Sequence, residues 1–186
     1  MNPTDFSDLG MLADEEQDFS SEPNVGTDEN NPLYLGNVLD GVCKLILEEL
    51  AFLFCDSQDA STFDYGQIVD AHAAYLNFTG PKNGKIEIAA GQNLCLLLSS
   101  NMLGIEPEDE DASAYADDAL KEALNVITGR FLTEAYGEEA VFVLNAPEIG
   151  NIGDLAKVDE NAKAESMQFF ETEGYCLVVK LTIFKK

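Results

Sequence analysis

The sequence predicts an α+β domain in which helices pack on a largely antiparallel sheet. Three observations predict it. Apolar residues recur at intervals of three and four in long stretches, the period of a helix with one buried face. Short alternating stretches follow one another across Asn-Gly or Glu-Gly turns, as antiparallel strands do. Hydrophobic residues also make up 46% of 186 residues, enough for one core.

The first helix is expected from about Pro32 to Cys55. Leu39, Val42, Cys43, Ile46, Leu50, Leu53 and Phe54 keep the helical period, and Asn30-Asn31 before Pro32 supply a start. Residues 56–62 read as a polar loop. Residues 71–78 alternate loosely. The turn residues from Thr79 to Gly84 then lead into a return strand, Lys85–Ala89, with Ile86 and Ile88 on one face. Gly91 ends that strand, and Gln92–Leu103 reads as a second helix capped by Gly104. An acidic loop over 106–111 precedes a third helix from about Ala112 to Tyr136, stopped at Gly137. Strands are expected over 140–145, 164–171 and 175–184, the last two joined at Glu173-Gly174. The expected order is α-β-β-α-α-β-β-β. The first and third helices read as degenerate copies of one unit, with Asp40, Glu48 and Ala51 loosely echoing positions on the third.

Residues 1–31 are a separate zone with nine acidic residues and no Lys or Arg. A flexible acidic extension is expected there, followed by one domain over 32–186. Phe6, Leu9, Met11 and Leu12 interrupt the acidity, either as docking residues or as incidental apolar ones. The whole chain carries 35 acidic and 10 basic residues, a net charge of −25. Such a surface repels phosphate backbones and anionic lipid, which argues against nucleic-acid and membrane partners. The charge either keeps the protein soluble or steers a basic partner. There is no apolar run long enough to cross a bilayer and no secretory signal, so a cytoplasmic protein is expected. Cys43, Cys55, Cys95 and Cys176 form no C-x-x-C pair and have apolar neighbours, as buried thiols in a reducing compartment do. His72 is the only histidine. That argues against a zinc site and against His-dependent triads, and a structural role suits it better.

The third helix carries the chemistry. At about 100° per residue, with Asp118 at zero, Glu122 falls near 40°, Asn125 near 340° and Gly129 near 20°. Leu120, Ala123, Leu124, Ile127 and Phe131 fall opposite, between about 140° and 240°. One stripe faces the core and the other is offered to solvent or a partner. A mid-helix Gly costs about 1 kcal/mol against Ala, so Gly129 suggests close approach by another chain. By spacing alone, the polar stripe reads first as an ordinary solvated face.

Asp118-x-x-x-Glu122-x-x-Asn125, with Gly129 following and Pro147 21 residues beyond Asn125, resembles the signature of the CheX, CheC and FliY family of chemotaxis phosphatases. The single copy is most similar to CheX. The resemblance runs from about Leu39 to Phe184 and includes the order of elements. The first helix has Ala51 where a second motif would have Asn, which fits one active motif.

The resemblance implies a CheX/CheC-like fold and a phosphatase for the phosphoaspartate of a CheY-like response regulator. It implies that Asn125 holds the attacking water and Glu122 pairs with the regulator's active-site Lys. Asp118 and Gly129 would extend the docking surface, and Pro147 would shape a turn. No cofactor or metal of the chain's own is expected, the Mg²⁺ belonging to the partner's receiver domain. The phosphorylated regulator and a second copy joined through edge strands are the expected partners, with the C-terminal strand (Leu177, Val179, Leu181, Ile183) a candidate edge. The competing reading is a non-catalytic module that docks a regulator, or a flagellar or signalling component, without hydrolysis.

Overall fold

The computed structural model describes residues 31–68, 71–155 and 157–185. The acidic zone before Asn31, with Phe6, Leu9, Met11 and Leu12, lies outside the described residues. Helix α1 spans Pro32–Ala51. The Asn31 side chain accepts the Leu33 N–H at 3.0 Å, and Pro32 occupies the first turn, where its missing N–H is not needed. The helix buries Leu35, Leu39, Val42, Cys43, Ile46 and Leu47. It ends sooner than its apolar period suggests, because Phe52 turns left-handed (φ 55°) and returns its N–H to the Glu48 carbonyl at 2.9 Å.

Strand β1 follows at Asp56–Gln58, inside the segment read as a loop. It is too short and polar to show alternation, and its pairing with the end of a later strand defines it. A 3₁₀ turn at Tyr65–Ile68 leads to the expected hairpin of β2 (His72–Thr79) and β3 (Gly84–Ala90). Helix α2 spans Gln92–Leu103 and is closed by Gly104 at φ 68°. The third expected helix is two: a short α3 (Glu110–Ala114) and a long α4 (Ala116–Tyr136), meeting at Tyr115. Tyr115 has φ −101° and ψ 4°, off helical values by so little that the apolar period runs through the break.

Beyond Gly137 the chain makes two minimal strands, β4 (Val143–Leu144) and β5 (Glu148–Ile149), then a one-turn α5 (Ile152–Leu155). The long strands β6 (Ala162–Thr172) and β7 (Tyr175–Phe184) close the fold through Glu173-Gly174, both at positive φ.

The sheet runs β1-β6-β7-β3-β2-β4, with β5 also on β2, and every pair is antiparallel. Helices α1, α2 and α4 cover one face over Leu76, Phe78, Ile86, Ile88, Val179 and Leu181. Phe63, Ile68 and Leu155 cover part of the other, over Ala73, Ala89 and Val178. The strand order overturns one expectation. β7 is an interior strand between β6 and β3, buried from Cys176 to Ile183, and offers no edge for a second copy. Its Lys180 is buried on the second face, 3.0 Å from the Glu165 carboxylate.

Candidate functional site

Helix α4 lies across β2 and β3 and between α1 and α2. Leu120, Ala123, Leu124, Ile127 and Phe131 are each fully buried, which fixes the rotation of the helix. The face opposite must point outward, and it holds Asp118 and Glu122 exposed with Asn125 and Gly129 half-buried. Thr128, next to this stripe, is buried, and its hydroxyl donates to the Leu124 carbonyl at 2.7 Å. The stripe of the sequence reading is therefore a real surface with four members side by side along about 11 residues of helix.

The four are not equivalent. Asp118 is held by Lys121 at 2.6 Å, one turn along the same helix. Among the described residues, the Glu122 carboxylate and the Asn125 carboxamide have no hydrogen-bond or ionic partner. One more turn on, Arg130 and Glu134 pair at 2.8 Å. The free charge and the free amide thus sit between two self-paired turns. A carboxamide both donates and accepts hydrogen bonds, and a carboxylate accepts them or binds a cation. Gly129 has no internal reason to be Gly: a Cβ there would meet nothing within 4 Å. Its helix-propensity cost is uncompensated within the chain.

Neither of two depressions in the described surface takes in this stripe. The polar depression around Asn77, Lys85, Glu87 and Lys180, and the apolar one around Ile68, Ile152, Met167 and Phe169, both lie on the other face of the sheet. Glu122 and Asn125 stand on a helix surface, a geometry suited to a macromolecular partner. Pro147 lies between β4 and β5 on the far side of β2, and β5 reaches α4. The proline of the distant spacing thus shapes the short strands beside the helix and is not itself on the stripe.

The start of α4 holds residues that the sequence reading missed or left without a role. His72 Nδ1 lies 2.6 Å from Asp117 Oδ1, joining the first residue of β2 to the first turn of α4. This gives the lone histidine the structural role expected of it. Tyr115 stands at 49% exposure, one turn before Asp118 and about 60° around the helix by the same arithmetic. It lies on the Glu122 side of the stripe. The signal was available by carrying the helical arithmetic one turn back. Tyr115 also caps α4 without a side-chain bond, where Ser, Thr, Asp or Asn would gain about 1 kcal/mol.

Helix α1 makes no second site. Asp40 pairs with Lys44 at 2.9 Å and accepts a bond from Ser57. Ala51 is fully buried, and its carbonyl takes the Asn101 amide at 2.7 Å. The four cysteines are free thiols. Burial pushes Cys43 well up, Cys55 to about 11 and Cys95 to about 12, so none is poised as a nucleophile. Among the described residues no three His, Cys, Asp or Glu gather as metal ligands, and no helix is long and apolar enough to cross a membrane.

The sequence model of the family described as Chemotaxis phosphatase CheX matches residues 72–171, more than half of the chain. The chain belongs to the CheX family. The match takes in all of α4 and the sheet from β2 to nearly the end of β6. Among solved structures, a CheX chemotaxis protein of Desulfovibrio desulfuricans superimposes at TM-score 0.62 with 17% identity, over 80% of this chain and 98% of that one. CheX of Vibrio vulnificus gives 0.61 at 16%, over 80% and 95%. CheX of Borrelia burgdorferi, solved as a complex with CheY, BeF₃ and Mg²⁺, gives 0.61 at 16%, over 80% and 97%. At these identities the likeness shows the CheX-like α+β fold. No curated protein sequence matches the chain significantly.

Proposed function

We propose that this chain accelerates hydrolysis of the phosphoaspartate of a CheY-like response regulator, with Asn125 and Glu122 as its catalytic pair. One observation carries the reading: in a member of the CheX family, the two side chains left unpartnered on α4 are a carboxamide and a carboxylate one turn apart. The CheY complex of the Borrelia relative supports a receiver domain as the partner.

A receiver's phosphoaspartate already has its electrophilic phosphorus and its Mg²⁺, so the metal belongs to the partner and this chain needs no cofactor of its own. What hydrolysis lacks is a placed water, and phosphoryl transfer depends chiefly on positioning and electrostatics. The Asn125 carboxamide accepts one hydrogen bond from the water and donates another, aiming the water oxygen at phosphorus. That oxygen bonds to phosphorus as the bond to the aspartate oxygen breaks. The aspartate leaves as a carboxylate, and the water's protons pass to phosphate and solvent. Glu122 pairs with the receiver's active-site Lys, which sets the register of Asn125. Asp118 adds to the docking surface after exchanging Lys121 for a partner cation, a small cost because exposed pairs are worth about 0–1 kcal/mol. Gly129 leaves room for the partner's backbone. A cytoplasmic receiver as substrate would put this chain in the cytoplasm as well.

The test is phosphate release from phosphorylated CheY-type receivers of the same host. Asn125→Ala is expected to lower the acceleration by about 10²-fold or more with the fold intact, the scale of losing a positioning group. Glu122→Ala is expected to weaken receiver binding as well as rate. An unchanged rate in Asn125→Ala overturns the proposal. Tight receiver binding with no acceleration by the wild type assigns the same face to a non-catalytic docking module.

A further inference from the structure

We infer that Tyr115 is the apolar anchor of the docking surface, seated by a partner that offers a shallow apolar depression rimmed by Lys or Arg. The inference rests on the α4 face being the partner-binding face.

Three observations meet at this residue. The first is exposure without internal use. The Tyr115 ring is half in solvent, and among the described residues it makes no hydrogen bond or ring contact, whereas Phe63, Tyr65, Phe78, Phe131 and Tyr136 all pack against other rings. An aromatic side chain left out in this way carries a large apolar area to an interface at low entropic cost, and such residues dominate binding energy there. The second is register. Tyr115, Asp118, Glu122, Asn125 and Gly129 follow one another along a single strip about 21 Å long, with Glu122 midway, the span of a modest protein interface. The third is residue choice. The position starts a long helix with no side-chain cap, so helix stability does not account for a tyrosine.

The surroundings specify the partner. Residues 106–122 hold eight acidic side chains and one basic, Lys121. Glu110, Asp111 and Asp118, exposed and within five residues of Tyr115 in sequence, make its surroundings acidic, and Asp117 is held by His72. An aromatic ring in so acidic a stretch fits an apolar patch with a cationic rim and repels an acidic one. The carboxylates would raise the association rate and reject wrong receivers, and the ring would hold the complex once formed.

The experiment uses the full chain and the host's CheY-type receivers, each loaded with beryllofluoride and Mg²⁺ for binding and phosphorylated for turnover. Tyr115→Ser is the decisive variant, because serine is a preferred residue at a helix start and leaves α4 no weaker. Its dissociation constant and KM are expected to rise about ten-fold or more, with kcat unchanged, the pattern of a docking residue. Tyr115→Phe is expected to keep wild-type values. An unchanged dissociation constant in Tyr115→Ser overturns the inference, as does a fall in kcat at constant KM. If the wild type speeds phosphate release and Tyr115→Ser binds normally, the anchor fails and the phosphatase stands. If the wild type binds a receiver without speeding release and Tyr115→Ser loses that binding, the phosphatase fails and the anchor stands. A wild type that binds none of the receivers overturns both.

Discussion

Cys43 and Cys95 have no measurable exposure, and the low polarity around them keeps both thiols protonated at neutral pH. For Cys95 the negative charge of Asp117 adds to the effect of burial. A thiol whose value rises on folding contributes stability that is fully present below its unfolded value of 9.0 and is lost as pH climbs toward about 12. Stability is therefore expected to fall across that alkaline window, and less steeply in a Cys95→Ala variant. Denaturant melts at pH 8 and pH 10.5 would check it, and parallel slopes for the two proteins would refute it. The same residue-scale logic separates Asn125 from Asp118. Both were legible in the sequence as members of one stripe. Which of them lacks an internal partner was not legible, because Asp118 finds Lys121 through rotamers that spacing does not specify. Tyr115 is a related case: the helical arithmetic places it on the polar side, but an angle alone does not separate an aromatic ring that packs from one left half in solvent.

Helix α4 is anchored at each end by a different device. His72 and Asp117 fasten its first turn to β2, and Gly137 closes its last by returning its N–H to Thr133 at 2.9 Å. Between these ends the helix is fixed by apolar burial on one side and is bare on the other. Gly129 is the weak point of that bare side. Gly129→Ala is expected to stabilise the folded chain by up to about 1 kcal/mol, since the new methyl meets open space. On the proposed docking, the same variant is expected to raise KM for the phosphorylated receiver, because the methyl would meet the partner's backbone. A stabilised variant with unaltered turnover would show that Gly129 has no docking role. The long helices and the hairpin were plain in the sequence, since each buries a full periodic face. β1, β5 and α5 were not, because two to four residues are too few to show a period and their place is set by neighbours.

On the scale of the whole molecule, the sheet has one long strand with an open side. β6 pairs along its length with β7, but β1 covers only Phe169 to Glu171, leaving residues 162–168 without a neighbour on that side among the described residues. Unpaired edges of that length invite a second strand. If two copies join, this edge of β6 is the one that would serve, in place of the C-terminal strand, which the sequence offers as a candidate. Light scattering is expected to give twice the 20.2 kDa of one chain, and the mass of one chain would exclude the pairing. The C-terminal strand misled because Leu177, Val179, Leu181 and Ile183 alternate with Lys180 and Thr182, as if one face met water. Lys180 and Thr182 are buried too, with the Lys180 ammonium taken up by the Glu165 carboxylate and the Lys157 carbonyl. Helix α1, for its part, bears on how many regulators each chain would serve. Ala51 lies under Asn101, in the interior, where a side chain reaching for water has nowhere to go. On the proposed reading, each chain would therefore serve one regulator at a time, and signal termination would scale with copy number instead of with cooperation inside a single domain.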